Sequence, residues 1–169
     1  MFKNTYQRLL STSLVLTFCI GCDQLTKYIA EKKLAHEPTQ SFFYDTFRLQ
    51  FIKNKGAFLG FGSNFPEQAK LWLFLILPFI FLAAAAVFVA FSRKLAPLQS
   101  FLISLIVGGG ISNLIDRITQ GSVTDFLNVG LGSLRTGIFN IADVAIMAGA
   151  IGLIILEFCQ TKEKALGRD

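Results

Sequence analysis

The sequence has few charged residues for its length. Only 16% of its 169 residues are charged, whereas soluble proteins average about 25%. Hydrophobic residues make up 53% of the chain, and 18 residues are phenylalanine. The charged side chains are too few to cover a surface in water. The composition therefore excludes an ordinary soluble domain and indicates a membrane protein.

Histidine and cysteine are also scarce. The lone His36 argues against a multi-histidine metal site. The three cysteines lie in or beside apolar stretches, which does not predict a disulfide framework. We expect neither a metal nor a cofactor. The net charge is +5, and the basic residues are scattered or lie at the ends of apolar stretches. This pattern favours membrane lipids as partners and argues against nucleic acid.

Four apolar segments have the length of membrane spans, because 20 residues of helix extend about 30 Å. The last segment carries Asn140 and Asp143, and the first reaches this length only if its helix continues past Asp23 toward Lys27. We predict an all-α membrane fold, a four-transmembrane-helix bundle in a single domain covering residues 1–169. The predicted helices cover about residues 9–27, 71–91, 95–117 and 137–158.

Basic residues on the short flanks indicate the orientation of the bundle. In a four-helix topology these flanks share one side, so the positive-inside rule predicts that both termini are cytoplasmic. The segment Tyr28–Lys70 is then outside, although Lys27, Lys32 and Lys33 near the first helix weigh against this orientation. The flanking residues are Lys3, Arg8, Arg93, Lys94, Lys162, Lys164 and Arg168.

The outer segment, about residues 38–66, has the pattern of a small β element. Apolar and polar residues alternate over the first five positions of Phe47–Ile52, as in a half-buried strand. Gly56, Gly60 and Gly62 follow, which suits turns or close backbone approach. We predict an extracytoplasmic β element resting on the outer face of the membrane.

The N-terminus permits a different interpretation. Basic residues, an apolar stretch and then Ile20-Gly21-Cys22 are typical of a lipoprotein signal peptide with a lipid-modified Cys22. Three further segments of membrane length argue against it, since lipoproteins are usually soluble domains on a lipid anchor. Cys19 also stands where a large aliphatic residue is expected.

Two aspartates stand out as candidates for chemistry. An ionised Asp at the centre of a membrane helix costs roughly 2.5–3.5 kcal/mol, so such a residue indicates function. Asp143 lies in the fourth apolar segment with Asn140 one turn earlier, and Asp125 lies between the third and fourth segments. The predicted topology places both aspartates near the outer interface.

Two carboxyl groups that share one site hold a single proton, because both cannot ionise cheaply. The ionised member can then activate a water, while the protonated member polarises a carbonyl group. Other interpretations stay open. Asn140 can cap the fourth helix with Asp143 at its third position. Asp116, next to Arg117, can form a local ion pair or serve as a helix-end device. Asp23 can either anchor the first helix or contact substrate.

Two function classes other than hydrolysis by a carboxyl pair remain. A small transporter or proton channel can use Asp116, Asp125 and Asp143 as a relay, and a non-catalytic membrane chaperone needs no reaction at all. Carboxylate-dependent flux would indicate the first of these, and a change in substrate mass would indicate a peptidase.

Five motifs in order resemble those of the bacterial lipoprotein signal peptidase family, signal peptidase II, and the resemblance covers nearly the whole chain. The motifs are Asp23-Gln24-x-x-Lys27, Asn54-x-Gly56-Ala57 with Gly60 behind it, Gly108-Gly109 followed by Asn113-x-x-Asp116-Arg117, Gly121-x-Val123-x-Asp125-Phe126, and Phe139-Asn140-x-Ala142-Asp143.

The resemblance implies an intramembrane aspartic endopeptidase of the bacterial cytoplasmic membrane, with Asp125 and Asp143 as its catalytic pair. The implied substrates are diacylglyceryl-modified prolipoproteins, cleaved on the amino side of the lipidated cysteine. The family is also the target of the antibiotic globomycin. We expect the chain to be a monomer. The implied substrate-binding or supporting residues are Asp23, Lys27, Asn54, Gly56, Asn113, Arg117 and Asn140.

Four positions depart from the family pattern. Phe58 and Leu59 replace a small residue and an aromatic one, Ser112 stands where glycine is common, and Asn128 stands where an acidic residue often occurs. These departures concern substrate preference and loop conformation, and none of them removes a dyad aspartate.

Overall fold

The computed structural model describes residues 5–56, 61–92 and 94–165. Four of its helices are long and apolar enough to cross a membrane, and four short strands form one antiparallel sheet. The predicted fold class is therefore confirmed. The elements are α1 (Thr5–Leu34), β1 (Gln40–Phe42), β2 (Phe47–Asn54), α2 (Glu67–Phe91), α3 (Pro97–Gln120), β3 (Val123–Leu131), β4 (Leu134–Arg135) and α4 (Ile141–Ala165).

The first helix is longer than the apolar pattern predicts, and it ends at Leu34. Its last turns are rich in Ala, Glu and Lys, which are good helix formers. Lys32 and Lys33 lie in the last turn, where a positive charge interacts favourably with the helix dipole. The helix also runs without interruption through Cys22.

The second helix contains a π-helical stretch, Leu71–Ile76, just before Pro78. Proline has no N–H to donate, and its ring clashes with the carbonyl group four residues earlier, here that of Phe74. A local widening of the helix relieves this clash. The span is therefore continuous from Glu67 to Phe91 despite the proline.

The fourth helix begins at Ile141, four residues later than predicted. The residues before it pair with β3: the N–H groups of Phe126 and Leu127 both donate to the carbonyl oxygen of Phe139, at 3.0 and 2.9 Å. Backbone committed to the sheet cannot join a helix, so α4 starts immediately after Asn140.

The sheet has the strand order β1-β2-β3-β4. It lies where α1 and α3 end and α4 begins, so it covers one end of the bundle. Ile52 of β2 pairs with Asp125 of β3, and the pairing is irregular between Leu49 and Ile52. The β element predicted for about residues 38–66 is thus present as β1 and β2, but β3 and β4 were not predicted.

The third helix is the centre of the bundle and packs against α1, α2 and α4. Glycines allow the closest approach. A β-carbon at Gly109 would lie 2.4 Å from the carbonyl oxygen of Ala142 in α4, and one at Gly108 would lie 2.9 Å from Cβ of Cys19 in α1. Small residues at such contacts are typical of helix packing in lipid. They bring the start of α4 directly against α3.

Candidate active site

The two candidate aspartates lie on different elements at the sheet end of the bundle. Asp125 is near the start of β3 and is only 3% exposed. Asp143 is the third residue of α4 and is partly buried. Both hydrogen-bond to Asn140. Its Nδ2 donates to Oδ1 of Asp125 at 2.7 Å, and its backbone N–H donates to Oδ2 of Asp143 at 3.2 Å. One residue therefore joins the two carboxyl groups.

Three asparagine amides surround these carboxyl groups. Asn54 Nδ2 donates to Oδ2 of Asp125 at 2.9 Å, and Asn113 Nδ2 donates to Oδ1 of Asp143 at 2.9 Å. Together with Asn140, they give each carboxyl group two donors. Hydrogen bonds of this kind favour the charged form of an acid.

The orientation of each amide is determined by a partner that can only donate. Oδ1 of Asn54 accepts from the N–H of Gly56 at 2.9 Å, and Oδ1 of Asn140 accepts from the N–H of Asp143 at 2.9 Å. Oδ1 of Asn113 accepts from the ammonium group of Lys27 at 2.8 Å. An amide whose oxygen faces a donor must turn its NH₂ group the other way. All three NH₂ groups therefore point at the carboxyl groups.

Asn140 also caps α4, as the alternative interpretation of the sequence anticipated. Its side chain accepts from the N–H of Asp143, and the Asp143 side chain accepts from the N–H of Asn140. This reciprocal pair is a capping box, here with Asp at the third helical position. The cap uses Oδ2 of Asp143 and leaves Oδ1 facing Asn113. The capping role and the site are thus parts of one arrangement.

Lys27 lies in a buried cluster beneath this site. Its Nζ is 2.6 Å from Oδ2 of Asp23 and 3.0 Å from Oδ2 of Asp116, and all three side chains are at most 4% exposed. Asp23 and Lys27, one helical turn apart on α1, thus form a buried ion pair. The predicted local pair of Asp116 with Arg117 is wrong, because Asp116 faces α1 and bonds to Lys27.

The two acids of the cluster hold the backbone beside each candidate aspartate. Asp23 accepts from the N–H of Ala142 at 2.8 Å, and Asp116 accepts from the N–H of Thr124 at 3.0 Å. Ala142 precedes Asp143, and Thr124 precedes Asp125. Removing one partner from a buried charge pair costs about 3–5 kcal/mol, so Lys27 stabilises both attachments at once.

Arg117 connects the site to the loop that follows β2. Its Nη2 donates to the carbonyl oxygen of Gly56 at 3.0 Å, and its Nη1 donates to that of Asn113 at 3.5 Å. Gly56 is the residue whose N–H orients Asn54. The Ala57–Gly60 part of this motif, with Phe58 and Leu59, lies outside the described residues.

Burial changes the acidity of Asp125. It raises the pKa of this carboxyl group to about 6; the hydrogen bond from Asn54 opposes the rise, the charge of Asp143 adds to it, and the hydrogen bond from Asn140 opposes it. An acid with a pKa near the working pH exchanges its proton readily, which is what general acid–base chemistry requires.

Some residues of the site were given no role by the sequence. Gln24 donates to Oδ1 of Asp116 at 2.8 Å and to Oγ of Ser112 at 3.0 Å. Ser112 in turn donates to Asp23 at 2.7 Å, so this departure from the family pattern adds a bond to the buried cluster. The signal for Gln24 was its place in the motif Asp23-Gln24-x-x-Lys27, next to Asp23.

Asn128 donates to the carbonyl oxygen of Thr136 at 2.7 Å, a bond that an acidic side chain cannot make.

Comparisons with known proteins agree with this geometry. Residues 15–159 match the model of the family described as signal peptidase (SPase) II. The chain is 35% identical over 150 residues to a lipoprotein signal peptidase of Hydrogenovibrio crunogenus, covering 88% of this chain and 86% of the relative. It is 32% identical over 133 residues to one of Maridesulfovibrio salexigens, covering 79% and 85%.

Two solved structures resemble the fold. A bacterial membrane enzyme determined by the in meso method at 2.3 Å resolution superposes with a TM-score of 0.79 at 28% identity, covering 91% of each chain. A second, determined at 1.9 Å, gives a TM-score of 0.72 at 27% identity, covering 86% of this chain and 91% of the other. The match over residues 15–159 and the two relatives show that this multi-pass membrane protein belongs to the signal peptidase II family and is an aspartic endopeptidase of that type.

Proposed function

We propose that Asp125 and Asp143 are the catalytic dyad, and that the enzyme removes signal peptides from diacylglyceryl-modified prolipoproteins. Cleavage falls on the amino side of the lipidated cysteine. The single observation that carries this proposal is the pair of hydrogen bonds from Asn140, one to each carboxyl group. Two acids tied to one residue share an environment, and so they can share a proton.

The reaction follows the general scheme of a carboxyl pair. The ionised member takes a proton from a bound water, which attacks the carbonyl carbon of the scissile bond. The protonated member donates a hydrogen bond to the carbonyl oxygen and later gives a proton to the leaving amine. The donors from Asn54, Asn113 and Asn140 hold the two carboxyl groups in place throughout the reaction.

The position of the site suits this substrate. Asp143 lies in the first turn of a membrane-spanning helix, and Asp125 lies in the sheet just beyond the bundle. Both are therefore close to the boundary between lipid and water. A signal peptide is itself an apolar helix, and a diacylated cysteine stays at the interface. The scissile bond and a water molecule can meet at this depth.

The supporting residues act through the dyad and the loop above it. Asp23, Lys27 and Asn113 hold the start of α4 against α1 and α3. Arg117 holds the loop at Gly56, which in turn orients Asn54. Asp116, one member of the alternative proton relay, is occupied by Lys27, Gln24 and the N–H of Thr124. These contacts favour the peptidase over the transporter.

We further propose that the enzyme acts as a monomer in the bacterial cytoplasmic membrane, with both termini in the cytoplasm and the sheet outside. The natural partners of the enzyme would be the prolipoprotein and membrane lipids. Globomycin-type inhibitors would bind at the dyad in place of the substrate.

A cleavage assay on a lipid-modified prolipoprotein tests the dyad. We expect Asp125→Asn and Asp143→Asn each to lower kcat by about 10²–10⁴-fold, the usual contribution of acid–base catalysis. Glu157→Gln, which changes an exposed acid on the same helix as Asp143, should cleave like the parent. Thermal unfolding in detergent shows whether each variant keeps its fold. Full cleavage by both folded variants would refute the dyad, and inhibition of the parent by globomycin serves as the positive control.

A further inference from the structure

A large open cavity lies on the sheet side of Asp125. It has a volume of about 690 Å³, within the range of ordinary ligand sites. Its walls come from β2 and the residue after it, from β3 and β4, and from the segment that leads into α4. Asp125 forms part of the lining. The cavity therefore opens directly onto the proposed reaction centre from the water side.

The lining of this cavity is basic. Among the described residues that form it, Arg48, Lys53, Lys55 and Arg135 are basic and Asp125 is the one acid. Lys53 is partly balanced by Glu31, 3.5 Å away. The positive charge that remains comes from the other three.

The chain's own acids do not neutralise these three groups. Arg48 and Arg135 both interact with the single carboxylate of Asp45, at 2.5 and 3.4 Å. Nη2 of Arg135 has no hydrogen-bond partner among the described residues. Lys55 is exposed and forms no ion pair within the described part of the chain. Three cations against Asp45, and against Asp125 when it is ionised, leave the cavity with an excess positive charge.

The geometry points to the occupant. Lys55 follows Asn54, whose amide contacts Asp125. Arg135 bonds to Asn128, three residues beyond Asp125 on β3, a distance of about 10 Å along a strand. An extended peptide advances about 3.3 Å per residue. A chain that begins at the dyad therefore reaches both groups within its first few residues.

We propose that this cavity binds the first residues of the mature lipoprotein, positions two to four counted from the lipidated cysteine, and favours aspartate or glutamate there. The inference rests on the proposed function and adds a specificity to it. The signal peptide remains among the membrane helices, whereas the mature segment leaves on the water side, where this cavity lies. Lys55 and Arg135 are the specificity-determining residues.

Matched substrates test the proposal. Three diacylglyceryl-modified prolipoproteins with one signal peptide carry Asp-Glu-Asp, Asn-Gln-Asn or Lys-Lys-Lys at positions two to four. In nanodiscs of zwitterionic lipid we expect kcat/KM to be about two- to five-fold higher for the acidic substrate than for the amide substrate, as one or two partly solvated ion pairs provide. The lysine substrate should be slowest, and 0.5 M salt should reduce the differences.

Enzyme variants locate the effect. Lys55→Glu should remove or reverse the preference for the acidic substrate over the amide substrate. Arg135→Gln should weaken the preference, and thermal unfolding shows whether it keeps its fold. Lys32→Gln is the matched control, because Lys32 is also an exposed lysine but lines a different cavity, next to α1. It should retain the parent's preference.

The outcomes are distinct. Equal kcat/KM for the acidic and amide substrates, or an acidic preference unchanged in Lys55→Glu, would overturn the inference and leave the proposed function standing. A Lys55-dependent response to anionic lipid in the nanodisc, without a response to substrate charge, would assign the cavity to lipid headgroups and would also overturn it. Failure to cleave any of the three substrates would count against the proposed function itself.

Discussion

Two opposing influences act on the carboxyl group of Asp125. Burial raises its pKa to about 6, and the hydrogen bond from Asn54 opposes this rise. A donor to a carboxylate stabilises the charged form, so removing the donor allows the proton to stay on at higher pH. Asn54 thereby tunes the pH at which Asp125 changes its charge.

We expect Asn54→Leu to shift the limb of the pH–rate profile that reports Asp125 to higher pH. The shift should be about one to two units, since a hydrogen bond to a charged group is worth about 1.5–3 kcal/mol and one pKa unit is about 1.36 kcal/mol. The sign is the same whether the reaction needs Asp125 protonated or ionised. The measurement is kcat/KM from pH 4 to 9.

Gln50→Leu is the control for this experiment. Gln50 lines the same cavity, but its side chain accepts from Thr39 at 3.3 Å. The limb of the pH–rate profile of Gln50→Leu should lie at the same pH as that of the parent. A limb in Asn54→Leu that is unmoved, or that lies at lower pH, would contradict the proposed effect of the Asn54 hydrogen bond.

At the scale of residues, the sequence indicates which side chains are chemically unusual but not how they are paired. Asp143 and Asn140 stand out because polar groups are costly at membrane depth, and Asp125 stands out through the motif that contains it. Asp116 and Asp23 accept hydrogen bonds from the backbone N–H groups of Thr124 and Ala142. Any residue carries such a group, so its identity leaves no trace in the sequence. Asp116 was assigned to Arg117 because the two are adjacent in the sequence, whereas Lys27 lies on another helix.

The contact between α3 and α4 depends on Gly109. Its position facing Ala142 allows Asn113 of α3 to reach Asp143 of α4 at 2.9 Å. A β-carbon there would meet backbone, which cannot move aside as a flexible side chain can. The start of α4 must then shift away from α3.

We therefore expect Gly109→Ala to lower kcat on the order of 10²-fold, the usual consequence of displacing a catalytic group by about 1 Å. Gly21→Ala is the matched control. It also adds a methyl group to a helical glycine, but no atom lies within 4 Å of the added carbon. Parent-like cleavage by Gly109→Ala, measured with the same prolipoprotein, would show that this close approach does not position the dyad.

At the scale of elements, hydropathy predicts the four spans because each must match the thickness of a bilayer. It does not predict their ends. The final turns of α1 are polar, and the start of α4 is delayed by the pairing of Phe139 with β3. β3 was missed because Val123–Leu131 does not alternate and its partner β2 lies about 70 residues earlier. Such pairing is a tertiary fact that a local pattern cannot contain.

The whole molecule is polarised along the membrane normal. All four strands lie at the end where α4 begins, and the exposed basic residues Lys94 and Lys162 lie at the other end. The flanking residues Lys3, Arg93 and Arg168 lie outside the described residues. Lys27, which weighed against the predicted orientation, is buried between two aspartates and contributes no free charge. Of the three lysines that weighed against this orientation, Lys32 and Lys33 remain.

This distribution predicts that the sheet faces outward and both termini face the cytoplasm. In a background without the three native cysteines, a membrane-impermeant maleimide should label Tyr44→Cys in intact spheroplasts, because Tyr44 is fully exposed at the tip between β1 and β2. Lys162→Cys, near the end of α4, should be labelled only after lysis. The opposite pattern would place the dyad on the cytoplasmic side, where a translocated prolipoprotein does not present its cysteine. Orientation therefore determines whether this site can meet its proposed substrate at all.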